Sequence, residues 1–181
     1  MEVTSPKTPT LSKNKSKIIS NSEDIKNNLN INKPYFVVTL HRPSNLNDVT
    51  LKDIFEAIGN FTNDYKVILP AHPRLRYYID DNNTELTNVV LIDPLSYIDF
   101  MSLVYGCDLV LTDSGGIQEE TTYLGINCLT LREETERPIT VQEGTNKVIG
   151  TDNLLQGRIH LLDVECHFLA QNLNCLLILL N

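Results

Sequence analysis

From Tyr35 onward, short apolar runs alternate with stretches whose apolar residues recur at helical spacing. The runs fall at residues 36–40, 66–69, 89–92, 109–112 and 128–131 and are nearly continuous in Val, Ile and Leu. Continuous apolar strands belong to a sheet covered on both faces, whereas a half-exposed strand alternates. Between the runs, Leu51, Ile54, Phe55 and Ile58 follow the i, i+3, i+4, i+7 pattern, with Asn47 or Asp48 placed to cap. Phe100, Leu103 and Val104 likewise share a helix face after Ser96. Five strands alternating with four helices predict an α/β fold: a Rossmann-like parallel sheet with helices on both faces and right-handed crossovers.

The first 33 residues break this pattern. They hold six lysines against Glu2, Glu23 and Asp24, with Pro6, Pro9 and few large apolar side chains. Residues 1–33 read as a mobile tail rich in lysine and asparagine, with a short helical turn over 22–29. Residues 34–152 form the folded unit, and 153–181 are a leucine-rich segment to which the pattern assigns no fold.

Charge narrows the function. The 181 residues carry 15 basic and 23 acidic side chains, net −8. The tail is +3, which leaves −11 for the rest. That balance argues against a broad nucleic-acid or anionic-membrane surface, and the dispersed lysines make a poor targeting signal. No apolar run approaches the roughly 18 residues of a membrane span, and no signal-peptide h-region is present. A cytoplasmic protein is expected. Cys107, Cys128, Cys166 and Cys175 form no CxxC pair and read as free thiols of a reducing compartment.

In an open parallel sheet, ligands bind beyond the carboxyl ends of the strands. Five segments lie there: His41-Arg42-Pro43, Pro70-Ala71-His72-Pro73-Arg74, Asp93-Pro94-Leu95, Asp113-Ser114-Gly115-Gly116 and Arg132-Glu133. In Asp113-Ser114-Gly115-Gly116 the glycines admit close backbone approach, and the N–H groups of a helix starting near Ile117 favour an anion such as a diphosphate. The competing reading is a plain βα turn with Ser114 as N-cap. Glu119 and Glu120 are expected in the first helical turn, one held there by the dipole and the other accepting from sugar hydroxyls. Arg137 suits a phosphate clamp, or else a surface ion pair within residues 132–137. His41 beside Arg42 suits a departing diphosphate, and His72 recurs at the equivalent end of the next strand. Neither histidine has a partner at zinc-ligand spacing. GxxxxGK[ST] and GxGxxG motifs are absent.

Several segments carry a resemblance together. They are VTLHRP from Val38, LPAHPR from Leu69, DPLSY from Asp93, LTDSGGIQEE from Leu111 and LREETERPITVQEGTNKVIG from Leu131. In order and spacing, over residues 35–152, they resemble the non-hydrolysing UDP-N-acetylglucosamine 2-epimerase family. Ser44 stands where the nearest branch usually has an acid after HRP. The resemblance implies a GT-B-like pair of Rossmann-like domains, of which this chain looks like the C-terminal, UDP-binding half. It implies that Phe100 stacks on uracil and that Glu120 holds the ribose hydroxyls. It further implies that Ser114, Gly115 and Gly116 bind the diphosphate through the helix N-terminus, assisted by Arg137 and His41, and that His72 lies in the cleft. His41 is the catalytic residue it implies.

The implied reaction eliminates UDP to a glycal and adds it back with C2 inverted, in the service of cell-surface polysaccharide synthesis and with no metal or nicotinamide cofactor. The family's acid–base carboxylates lie mainly in the other half, which has no counterpart in residues 1–34. The chain alone is therefore expected to bind a UDP-N-acetylamino sugar with little turnover. It would serve as a partner to a separately encoded half or as a homodimer; a truncated remnant is the remaining alternative.

Overall fold

A computed structural model describes residues 9–32, 34–45, 48–61, 65–81, 86 and 89–151. Asn47, Cys166, Cys175 and the 153–181 segment lie outside the described residues. The chain runs α1 (Pro9–Asn28), β1 (Tyr35–Thr39), a 3-10 turn (Pro43–Asn45), α2 (Asp48–Phe61), β2 (Lys66–Pro70) and α3 (Pro73–Asp81). It continues through β3 (Val89–Ile92), α4 (Tyr97–Tyr105), β4 (Leu109–Thr112), α5 (Gly115–Leu124), β5 (Cys128–Thr130), α6 (Pro138–Gln142) and β6 (Asn146–Val148).

All neighbouring strands pair in parallel, in the order β3-β2-β1-β4-β5-β6. The chain winds outward from β1 to β3, then returns to the centre and winds the other way from β4. Alternation along β1 divides its side chains between two layers. Phe36, Val38 and Leu40 join α2 and α3 in one core, with Leu51, Ile54, Phe55, Ile58 and Leu75. Tyr35 and Val37 join Met101, Leu103 and Val104 of α4 in the other. The predicted Rossmann-like sheet with helices on both faces is what folds.

Three expectations need correction. The segment read as a tail contains a 20-residue helix, α1, with Leu11, Ile18, Ser22 and Ile25 buried. These positions recur at spacings of seven, four and three, a narrow stripe that the surrounding Lys, Asn and Ser obscure. The stripe packs on α4 in the second core, where each buried Leu or Ile contributes about 1.5–3 kcal/mol. A sixth strand exists, because Asn146-Lys147-Val148 pairs with β5 despite having one apolar residue. Finally, α5 starts at Gly115, two residues earlier than expected, and its first turn holds no acid. Glu119 and Glu120 therefore sit in the second turn, and the dipole does not account for either.

The α1–α4 contact is close. Asn21 Nδ2 of α1 donates to Asp99 Oδ1 at 2.9 Å, and from β1 Tyr35 donates its hydroxyl to the Leu103 carbonyl of α4 at 2.6 Å. A Cβ on Gly106 would stand 2.6 Å from Ser22 Oγ and 2.8 Å from the Tyr35 hydroxyl. Gly106→Ala is therefore expected to cost about 1–3 kcal/mol, read as a lower urea midpoint. Cys107 and Cys128 are free and buried, and burial raises both thiols, Cys128 to about 12.

Candidate functional site at the carboxyl edge of the sheet

The winding of the chain reverses between β1 and β4, and a doubly wound sheet opens its crevice at such a switch point. The segments flanking it are His41-Arg42 after β1 and Ser114-Gly115-Gly116 after β4. They are joined by Asp113, which is fully buried. Its carboxylate accepts the His41 N–H at 3.0 Å on both oxygens, the Arg42 N–H at 2.9 Å and Asn45 Nδ2 at 3.1 Å. Just below, the Thr39 and Thr112 hydroxyls meet at 2.7 Å across the strand pair. The His41 and Arg42 side chains, both exposed, thus project from a backbone turn that β4 holds in place.

Ser114 occupies the N-cap position of α5, with φ −92° and ψ 126°, but its side chain makes no capping hydrogen bond. The plain capping reading is thereby weakened. Neither following glycine is demanded by the chain itself. Among the described glycines only Gly125 and Gly150 have positive φ. A Cβ on Gly115 would meet only Glu136 Oε2, at 3.5 Å, and one on Gly116 only Ser114 Oγ, at 3.8 Å. A Cβ is thus tolerated at both positions, with the Glu136 carboxylate the nearest neighbour of Gly115.

Two glutamates that adjoin in sequence part company here. Glu119 Oε1 lies 2.9 Å from Arg137 Nε, near enough for an ion pair though off the line of a hydrogen bond. Glu120 Oε1 instead accepts the Tyr97 hydroxyl at 2.9 Å. Burial raises the Glu120 carboxyl pKa, the Tyr97 bond opposes the rise, and nearby Glu119 adds to it. Phe100 lies one turn along α4 from Tyr97, partly buried against the second core.

Arg137 is also pinned through its backbone. Its N–H donates to Thr135 Oγ1 at 3.0 Å, Thr135 donates to Gln118 Oε1 at 2.5 Å, and Thr140 Oγ1 donates to the Arg137 carbonyl at 2.7 Å. Gln118 is fully buried and receives Asn146 Nδ2 as well, at 3.3 Å. A polar core beneath α5 thus holds the loop that presents Arg137.

Glu136 bridges Arg132, at 2.8 and 2.9 Å, and Arg42, at 3.5 Å. Hydrogen bonds from Arg132 are the main cause pulling its carboxyl pKa down to about 2. A depressed carboxyl contributes stability above its ordinary 4.5 and loses it as pH falls toward about 2. Glu136→Gln is expected to melt slightly lower than the parent at neutral pH. The two melting temperatures then converge across that acid window. The pair is exposed, so the gap is small.

His72 is exposed, and its Nδ1 accepts the Arg74 N–H at 3.3 Å, which ties it to the start of α3. Its hydrogen bonds do not join it to the other candidates. The structural tasks of Asp113, Asn45, Gln118 and Tyr97 were not legible in the motifs, although a carboxylate ending a buried strand was a usable signal for Asp113.

A profile of the UDP-N-acetylglucosamine 2-epimerase family matches residues 4–159, and the chain belongs to that family. The match begins ahead of α1, in accord with that helix being part of the domain. The UDP-N-acetylglucosamine 2-epimerase of Methanocaldococcus jannaschii is 37% identical over 145 residues, 74% of this chain and 40% of that enzyme. The UDP-2,3-diacetamido-2,3-dideoxy-D-glucuronate 2-epimerase of Pseudomonas aeruginosa is 40% identical over 118 residues, 64% of this chain and 33% of that one. The Neisseria meningitidis UDP-GlcNAc 2-epimerase bound to UDP-GlcNAc superposes with a TM-score of 0.71 at 28% identity, covering 95% of this chain and 52% of its own. This chain thus spans two fifths or less of these two curated relatives. Among the described residues no helix is long and apolar enough to cross a membrane.

Proposed function

We propose that this chain holds the UDP moiety of a UDP-N-acetylamino sugar for 2-epimerisation. The observation that carries the reading is the uncapped, glycine-lined N-terminus of α5 at the sheet's switch point, with His41, Arg42 and Arg137 presented around it. In this reading the Gly115 and Gly116 N–H groups and the Ser114 hydroxyl donate to the diphosphate, and the two guanidiniums offset its charge. Uracil stacks on Phe100 and the ribose hydroxyls donate to Glu120. His72 borders the sugar side of the cleft. His41 stabilises or protonates the diphosphate as its bond to C1 breaks, while a base removes the C2 proton to leave a glycal. UDP then adds back at C1 while a proton is returned to C2 on the face opposite the one it left, which inverts C2.

In this reading that base comes from an opposing domain. Titration calorimetry with UDP tests the binding half of the proposal. Saturable binding, weakened about tenfold or more in Arg137→Met, is expected; no heat with the parent chain overturns it. Assayed alone on UDP-N-acetylglucosamine, the chain gives little C2 inversion, and turnover at family-like rates refutes the need for an opposing domain.

A further inference from the structure

Glu120 is held by a side chain from another element. Tyr97, the first residue of α4, reaches across to α5 and donates its hydroxyl to Oε1. The tyrosine is 38% exposed, so this bond lies at the surface and is no by-product of core packing. Its base is firm. Ser96 caps α4 by accepting the Asp99 N–H at 3.2 Å and also donates to Asp99 Oδ2 at 2.7 Å, which fixes the turn on which Tyr97 stands. Phe100 follows three residues later, and residues so spaced share a helix face.

The electron-pair count of the carboxylate gives this contact a purpose. An ionised carboxylate offers about four acceptor sites. The phenol takes one on Oε1 and leaves the rest, Oε2 included, for two neighbouring hydroxyls. Glu119 does not compete for the role, since Arg137 faces it. The phenol also opposes the effect of burial on Glu120, which favours an acceptor over a protonated acid.

We propose that Tyr97 is a positioning residue that sets sugar specificity, orienting the Glu120 carboxylate to read the vicinal 2′,3′-diol of a ribonucleoside diphosphate. The inference rests on the reading of Glu120 as the ribose partner. A pre-oriented acceptor loses less entropy on binding, and a site built to pair a hydroxyl rejects the analogue that lacks it.

The test is calorimetry with UDP and 2′-deoxy-UDP on the parent chain, Tyr97→Phe and Glu120→Gln. The parent prefers UDP by about tenfold. Tyr97→Phe narrows that preference to about two- to threefold, mainly through weaker UDP binding, with the melting temperature unchanged. Equal weakening of both ligands, as a structural role would give, or an unchanged ratio overturns the inference. Glu120→Gln separates the two layers of the argument. If it abolishes discrimination while Tyr97→Phe retains it, only the role of Tyr97 falls. If Glu120→Gln itself discriminates as the parent does, the ribose reading of Glu120 falls with it.

Discussion

Gly116→Ala is expected to melt higher than the parent chain and to bind UDP about a hundredfold more weakly. The two effects have opposite signs because they come from different requirements. The chain itself has no use for glycine at this position: its φ is not positive, and a Cβ would meet only Ser114 Oγ, at 3.8 Å. Alanine in a helix gains up to about 0.5–1 kcal/mol over glycine, which for a protein of this size corresponds to a rise of about 1–4 °C. A bound diphosphate, by contrast, needs the backbone within hydrogen-bond reach. A methyl group on that surface pushes it away from two charge-assisted donors, each worth about 1.5–3 kcal/mol. Differential scanning fluorimetry and calorimetry read the two numbers separately. Unaltered UDP affinity in this variant places the diphosphate elsewhere.

The largest stability loss is expected at Asp113. Asp113→Ala leaves the His41 and Arg42 N–H groups without their acceptor and Asn45 Nδ2 with only the Leu131 carbonyl, at 3.4 Å. Orphaned donors cost about 1–3 kcal/mol each, and the turn relaxes partly toward solvent, so a loss of about 3–5 kcal/mol is expected by urea unfolding. Asp113→Asn keeps one carbonyl oxygen and loses less. Both variants weaken UDP binding, because the turn that presents His41 and Arg42 is no longer held against β4. A loss below about 1 kcal/mol for the alanine variant means that this turn is not anchored by the carboxylate.

Much of the fold was legible because burial on both faces leaves a strong trace in a strand. The runs that became β1 to β5 are Val-, Ile- and Leu-rich for that reason, and the Leu51–Ile58 spacing marks the face of α2 that covers them. Where the burden of burial is small, the trace fades. α1 buries a single stripe under a polar surface and resembled a disordered tail. β6 buries Asn146, which is satisfied by Thr130, Gln118 and Thr140, and no apolar pattern announces it. The start of α5 was misplaced by two residues because glycines in a first turn look like a loop until the helix around them is seen.

The site divides along the same line. Residue types at strand ends are a property of the sequence, so His41, Arg42, Ser114, Gly115, Gly116 and Arg137 could be named once the strands were placed. Which side chain faces which is decided in space. Adjacent Glu119 and Glu120 are equivalent on paper, yet a helix sets successive residues about 100° apart, so one meets Arg137 and the other Tyr97. Asp113 reads as one letter of a motif, but parallel pairing of β4 with β1 makes it the anchor of a turn 72 residues earlier. The sequence by itself determined five strands of the parallel sheet, the residue types at their carboxyl ends and the family, since these follow from local patterns of burial and residue type. Only the tertiary structure decided the pairings within that edge and the helix hidden in the tail, since both depend on contacts between residues far apart in the chain.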